Sequence, residues 1–243
     1  MNKLIYLRKK VFTKGKNHLL SEINFLKEID KFAKLKNKTL LDIGCGNGKF
    51  LTLCSLLGEL KHCIGIDPAE GSGSTENILD SFRKNIKVLN IKNIEIIKGD
   101  ILNYDFGELK FDIITAIDSI HHIINTEKNI LKDQDIFSKF IELFNKIYDI
   151  LNDRGVFILY ECSKFTLRNY FKPLYRFSQC TTNFKSKHSA KKYCKILKLT
   201  GFSFIHLKYY LRSYYLNKFK FMFSNPLTIF PFDSHYFLFA IKK

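Results

Sequence analysis

The chain has 243 residues, 46% of them hydrophobic and 26% charged, with a formal net charge of +17. That length supports one large α/β domain whose core needs neither disulfides nor metal. No run of 18 apolar residues occurs, and the longest candidate, 221–232, is broken by Ser224, Asn225, Pro226 and Pro231, which excludes a spanning helix.

Residues 16–36 place Leu19, Leu20, Ile23, Leu26, Ile29, Phe32 and Ala33 at helical spacing. A short apolar strand is predicted over 39–43, then a glycine-rich turn and a helix over 50–57. Residues 62–66 read as a strand ending on Asp67 and Pro68, and the loop GSGST (71–75) leads into a helix through about Asn90. Residues 93–98 alternate, and 111–117 form a continuous apolar run of the kind covered on both faces. Residues 134–151 put Ile136, Phe137, Phe140, Ile141, Phe144, Ile147, Tyr148 and Leu151 on one helical face, and 156–160 read as another buried strand. A helix over 186–200 ends at Gly201, a natural cap position, and strand-like runs follow at 202–207 and 236–241. Alternation of strand and helix from 39 to 161 predicts an α/β fold: an open, mostly parallel sheet with helices on both faces. The ligand of such a sheet sits beyond the C-terminal strand ends, where the strand order reverses.

The strongest local signal is LDIGCGNGKF (41–50), directly between a predicted strand and helix. Its alternate glycines permit positive φ and close approach of backbone to a ligand. A dinucleotide fingerprint would need glycine where Lys49 stands, and no phosphate-cradling loop matches, so the turn suits a nucleoside-like ligand without a pyrophosphate. Asp67 ends the next strand about 20 residues later, where a carboxylate can accept both ribose hydroxyl protons. In KGDI (98–101), Asp100 ends a further strand, where it can meet an adenine amino group.

These features resemble the class I S-adenosylmethionine-dependent methyltransferases of small-molecule type. LDIGCGNG resembles the first family motif, GIDP the ribose-binding acidic motif and GDIL the adenine motif; FDIITAIDSIHHI (111–123) is similar to the fourth motif and LNDRGVFILYE (151–161) to the sixth. The resemblance covers 39–161 and implies a Rossmann-like, seven-stranded, mostly parallel sheet with the last strand antiparallel. It further implies S-adenosylmethionine as cofactor, S-adenosylhomocysteine as product, and cofactor contacts from Asp42, Gly44, Cys45, Gly46, Gly48, Asp67, Pro68, Asp100, Ile101 and Ile117. The loop at 70–74 is a few residues longer than the family pattern. The expected organisation is a single domain: an N-terminal helical segment (1–37), a cofactor-binding core (38–161), a cap-like basic and aromatic insertion (162–190), and a C-terminal helix with the last two strands and a second insertion at 208–233.

A sulfonium methyl group is already activated, so the protein mainly aligns a nucleophile and manages one proton. His121 and His122 follow the fourth strand on the substrate side and are the candidate catalytic bases for an acceptor hydroxyl. Asp118, Tyr160 and Glu161 are further substrate-side candidates. Six cysteines, at 45, 54, 63, 162, 180 and 194, form no CxxC pair and no zinc framework, which points to reduced thiols in a cytoplasmic protein without metal. The N-terminal MNKLIYLRKK lacks the apolar stretch of a secretory signal.

The charge is uneven. Residues 162–232 hold 14 basic side chains, no acidic one, and 18 of the 36 Phe and Tyr, whereas 1–161 is nearly neutral. Lys164, Arg168, Lys172 and Arg176 recur every four residues, and a second cluster runs from Tyr209 to Phe232. Three readings stand: a cap over a small, sugar-like or lipid-linked acceptor resting on an anionic membrane surface; a nucleic-acid groove, as in a tRNA methyltransferase; or aromatic core with solvated lysines. A non-catalytic partner that only binds S-adenosylmethionine is a fourth. Oligomeric state is not legible.

Overall fold

The periodicities resolve into seven strands and six α-helices among the described residues of the computed structural model, which are 6–12, 16–70, 77–163, 186–210 and 235–243. The strands are β1 (Thr39–Ile43), β2 (His62–Asp67), β3 (Ile94–Lys98), β4 (Phe111–Ile117), β5 (Leu151–Cys162), β6 (Phe204–Tyr209) and β7 (His235–Ile241). They form one sheet in the order β3-β2-β1-β4-β5-β7-β6. The first five are mutually parallel, and β7 runs antiparallel to both β5 and β6. Register sets Ile43 level with Ile66 on one side and Ala116 on the other, so the ends of β1, β2 and β4 open onto one edge.

The helices are α1 (Lys16–Ala33), α2 (Lys49–Leu57), α3 (Ile78–Leu89), α4 (Ile120–Ile123), α5 (Gln134–Asp149) and α6 (Ala190–Leu199). Central strands covered on both faces are largely apolar, and β1 and β4 show it: Leu40, Leu41, Ile113, Ile114 and Ala116 are all buried. One core lies between the sheet and α1, α2 and α3, centred on Phe25, Leu51 and Phe82; the other lies beneath α5 and α6. Helix α5 is held by Phe140, Leu143, Phe144 and Ile147, spaced i, i+3, i+4, i+7 and fully buried. Each such side chain contributes about 1.5–3 kcal/mol by leaving water. Asp133 caps the helix start by accepting from the Ile136 amide.

Three boundaries differ from the sequence reading, each for a tertiary reason. Leu151, expected on the helical face of 134–151, instead opens β5 and pairs with Phe111 across an irregular register. The last helix begins at Ala190, not 186, because Lys187 and His188 are drawn into the interior and the Tyr236 hydroxyl donates to the His188 carbonyl at 2.8 Å. Phe202, expected to begin a strand, is buried in the core, and β6 starts at Phe204. The loop 71–76, the cap-like stretch 164–185 with its basic stripe, and 211–234 lie outside the described residues. No helix among the described residues is long and apolar enough to cross a membrane.

Phe25 ties α1 to the sheet, with ring centroids 4.7 Å from Tyr160 and 5.0 Å from Phe237. Phe25→Ala is expected to destabilise the protein by about 3–5 kcal/mol in urea unfolding, and a loss below about 1 kcal/mol would contradict this packing.

Candidate active site

The C-terminal ends of β1 to β4 converge on a cleft of about 490 Å³, inside the range of about 300–1,000 Å³ usual for small-molecule sites. It sits where the strand order reverses between β1 and β4. Gly44 follows β1 at φ +72°, and a Cβ there would fall 2.5 Å from the Ser119 Cβ. Only glycine allows the turn to close against the end of β4. The Gly44 and Cys45 amides donate to the Ile66 carbonyl at 2.8 and 3.2 Å, which ties the turn to β2. Asp67 completes the tie: its Oδ2 accepts from the Gly46 amide at 2.9 Å and its Oδ1 from the Ala69 amide at 2.7 Å. Asp100 is oriented in the same way, Oδ1 accepting from the Leu102 amide at 2.7 Å.

Of the residues expected at the cofactor, Gly44, Gly46, Asp67, Pro68, Asp100 and Ile101 line this cleft, together with Asp118 and His122 of the acceptor side. Four others lie behind it. Asp42 is buried and its Oδ1 accepts from the Thr115 hydroxyl at 2.7 Å. Burial, only partly offset by that bond and reinforced by the Asp67 charge, raises its pKa to about 7. The Cys45 thiol packs over Gly65, and burial pushes its pKa up, which makes it unreactive. Gly48 caps the start of α2 at φ +69°, where a Cβ would lie 2.1 Å from the Phe82 ring. Ile117 packs against the α1–α3 core.

The substrate-side pair Tyr160 and Glu161 does not line the cleft. Adjacent residues of a strand point to opposite faces. Tyr160 is fully buried among Phe25, Phe237 and His235, so the structure corrects its placement to the core. Glu161, 1% exposed, turns to the other face and meets His121, whose Nδ1 lies 2.7 Å from its Oε1. Lys187, from the segment before α6, donates to Glu161 Oε2 at 3.1 Å. Burial would raise the Glu161 pKa, but the His121 hydrogen bond and the Lys187 charge outweigh it and hold the carboxyl below its ordinary range. Lys187 is the residue that sequence reasoning missed; the signal was a carboxylate in an apolar strand, which requires a buried partner.

The two histidines are thereby separated. His121 is buried in this ionic cluster, whereas His122 is accessible on the cleft wall. Partial burial, reinforced by His121 and Lys187 and opposed by Glu161 and Asp67, lowers the His122 pKa from 6.5. Asp118 lines the cleft at φ +52°, a left-handed conformation that aspartate tolerates, with its carboxylate 3.9 Å from His235 Nε2. A larger depression of about 570 Å³ runs along α5, but it is an open surface groove holding none of these groups. No group of metal-ligating side chains occurs among the described residues.

Residues 34–223 match the family model described as a methyltransferase domain. The chain belongs to this family, the class I S-adenosylmethionine-dependent methyltransferases, and S-adenosylmethionine is its cofactor. It is 35% identical over 88 residues to a ribosomal protein L11 methyltransferase of Clostridium perfringens, a match covering 36% of this chain and 25% of that protein. Its fold is similar to phosphoethanolamine N-methyltransferase 2 of Haemonchus contortus bound to phosphomonomethylethanolamine and S-adenosylhomocysteine (TM-score 0.60, 19% identity, covering 90% of this chain and 52% of that one). It is equally similar to a SAM-dependent methyltransferase of Aquifex aeolicus (TM-score 0.60, 14% identity, 97% and 98% covered). The chain thus spans about a quarter of the first relative and about half of the nematode enzyme.

The cleft fits the cofactor: a turn too tight for a Cβ, two oriented carboxylates at successive strand ends, and room for a nucleoside. Gly44→Ala is expected to keep the circular dichroism spectrum yet weaken S-adenosylhomocysteine binding about tenfold or more in calorimetry. Unchanged affinity would contradict the requirement for glycine.

Proposed function

We propose that the protein methylates an oxygen of a small, sugar-like or lipid-linked acceptor, with His122 as general base. The observation that carries this reading is the position of His122: an imidazole on the wall of the cofactor cleft whose surroundings favour the neutral form at neutral pH. Asp67 would hold the ribose hydroxyls, Asp100 and Ile101 the adenine, and the Gly44–Gly46 turn the amino-acid end. When bound, the cofactor supplies a methyl group already activated by a sulfonium centre. His122 takes the acceptor proton as the new bond forms, and its exposure lets that proton leave to solvent. His121 cannot share the role, since Glu161 and Lys187 occupy its ring. Asp118, which lines the same cleft, would orient an acceptor hydroxyl.

The acid-free stretch 162–232 supports presentation of the acceptor at an anionic membrane surface on the cytoplasmic side. Label from methyl-tritiated S-adenosylmethionine should therefore enter the lipid or glycan fraction of a cell extract. Label in RNA or protein would replace this acceptor with a macromolecule, and binding without any transfer would leave a sensor.

His122→Gln is expected to lower kcat by about 10²–10⁴. Because a base must be unprotonated, kcat/KM should fall as pH drops, with the acidic limb below the ordinary histidine value of 6.5. Full turnover in the variant, or a flat profile between about pH 5 and 8, would remove His122 from the reaction.

A further inference from the structure

Helix α6 carries its charge in a way that its own stability does not favour. Ala190, Tyr193, Ile196 and Leu197 are buried against the sheet, and Lys191, Lys195 and Lys198 stand exposed on the opposite face at i, i+4, i+7 spacing. Like charges at that spacing destabilise a helix. The first turn holds Lys191 and Lys192 and no acid, so the positive end of the helix dipole meets two ammonium groups. Among the described residues no acidic side chain pairs with Lys191, Lys195 or Lys198. Other helices are built the opposite way. Helix α3 has Asp80 in its first turn, 2.9 Å from Arg83, and α5 has Asp135 in its first turn behind the Asp133 cap. A lysine-rich composition would load these helices alike, and it does not explain why α6 alone of the three lacks an acid. Leu199, the last residue of α6, lies on the same face as the lysines and is 60% exposed.

We propose that the exposed face of α6, formed by Lys191, Lys195, Lys198 and Leu199, is the surface on which the protein docks to an anionic lipid bilayer. This rests on the reading that the acceptor is presented at such a membrane. Charge complementarity is the main argument: each lysine near an anionic leaflet strengthens binding about fivefold, and the leaflet relieves a repulsion that the helix otherwise bears. Leu199 adds apolar surface that the bilayer interface favours and a phosphate backbone does not. The single aromatic ring of α6, Tyr193, is buried, so this face has no platform on which a nucleotide base could stack. The helix also starts close to the cleft. Just before it, Lys187 donates to Glu161 Oε2 at 3.1 Å at the end of β5. Strand β5 pairs with β4, which runs into the cleft residues Asp118 and Ser119. Helix α6 therefore begins at the edge of the sheet on which the cleft opens, one strand beyond those that form it.

The test is sedimentation of the full chain with vesicles of phosphatidylglycerol and phosphatidylcholine, beside vesicles of phosphatidylcholine alone. The wild type should bind the anionic vesicles, lose affinity as salt is raised, and leave the neutral ones unbound. The variant Lys191→Gln/Lys195→Gln/Lys198→Gln should bind the anionic vesicles about 100-fold more weakly. Lys191→Glu separates docking from folding, because it places a carboxylate in the first turn and four residues before Lys195. Its melting temperature should rise while its vesicle affinity falls about tenfold. Vesicle affinity equal to wild type in either variant would overturn this face and leave the membrane reading standing. A wild type that does not bind anionic vesicles would overturn both. Tighter binding of a single-stranded RNA oligonucleotide than of vesicles, lost in the triple variant, would overturn the lipid assignment and give the face to nucleic acid.

Discussion

One carboxylate holds the working end of the sheet together. Asp67 accepts the Gly46 amide with one oxygen and the Ala69 amide with the other, which fastens the glycine turn after β1 to the end of β2. The turn can reach that position only because Gly44 leaves no Cβ to strike Ser119 at the end of β4. Three strand ends are thus brought to one point by a side chain and an absence of one. Parallel register does the rest, since β1, β2 and β4 finish level with one another. The cleft is a consequence of where these strands stop, and its chemistry follows from the residues that happen to come next.

A second constraint operates one strand further along. Glu161 is an ionised group at the buried end of β5, next to the apolar run 156–160, and leaving such a charge without partners costs several kcal/mol. His121 and Lys187 meet that demand from α4 and from the segment before α6. The consequence is functional. The cluster encloses one of two neighbouring histidines, and it ties Lys187, in the segment before α6, to the end of β5.

The strands and the cofactor turn were legible because their signals are local. Period-2 and period-3.6 patterns, alternate glycines and a strand-end acid are each contained within a few residues. Seven strands in a doubly wound order with an antiparallel β7 follow the expectation. The acceptor side was less legible because its logic depends on facing. Tyr160 and Glu161 look equivalent in a motif, yet successive strand residues take opposite faces, and one is core while the other is ionic. His121 and His122 likewise differ by about 100° around a helix turn. Lys187 was read as the start of a helix; only the distant carboxylate at 161 gives it a reason to be buried and extended. Asp42 and Gly48 match the cofactor motif but serve the turn from behind, one through Thr115 and the other against Phe82.

The most direct measurement is a crystal structure with S-adenosylhomocysteine bound. The ribose should lie on Asp67, the adenine beside Asp100 and Ile101, and the sulfur should face His122 while His121 stays enclosed by Glu161 and Lys187. A nucleoside held elsewhere, or a sulfur facing a wall without His122, would contradict the assignment of this cleft as the site of methyl transfer.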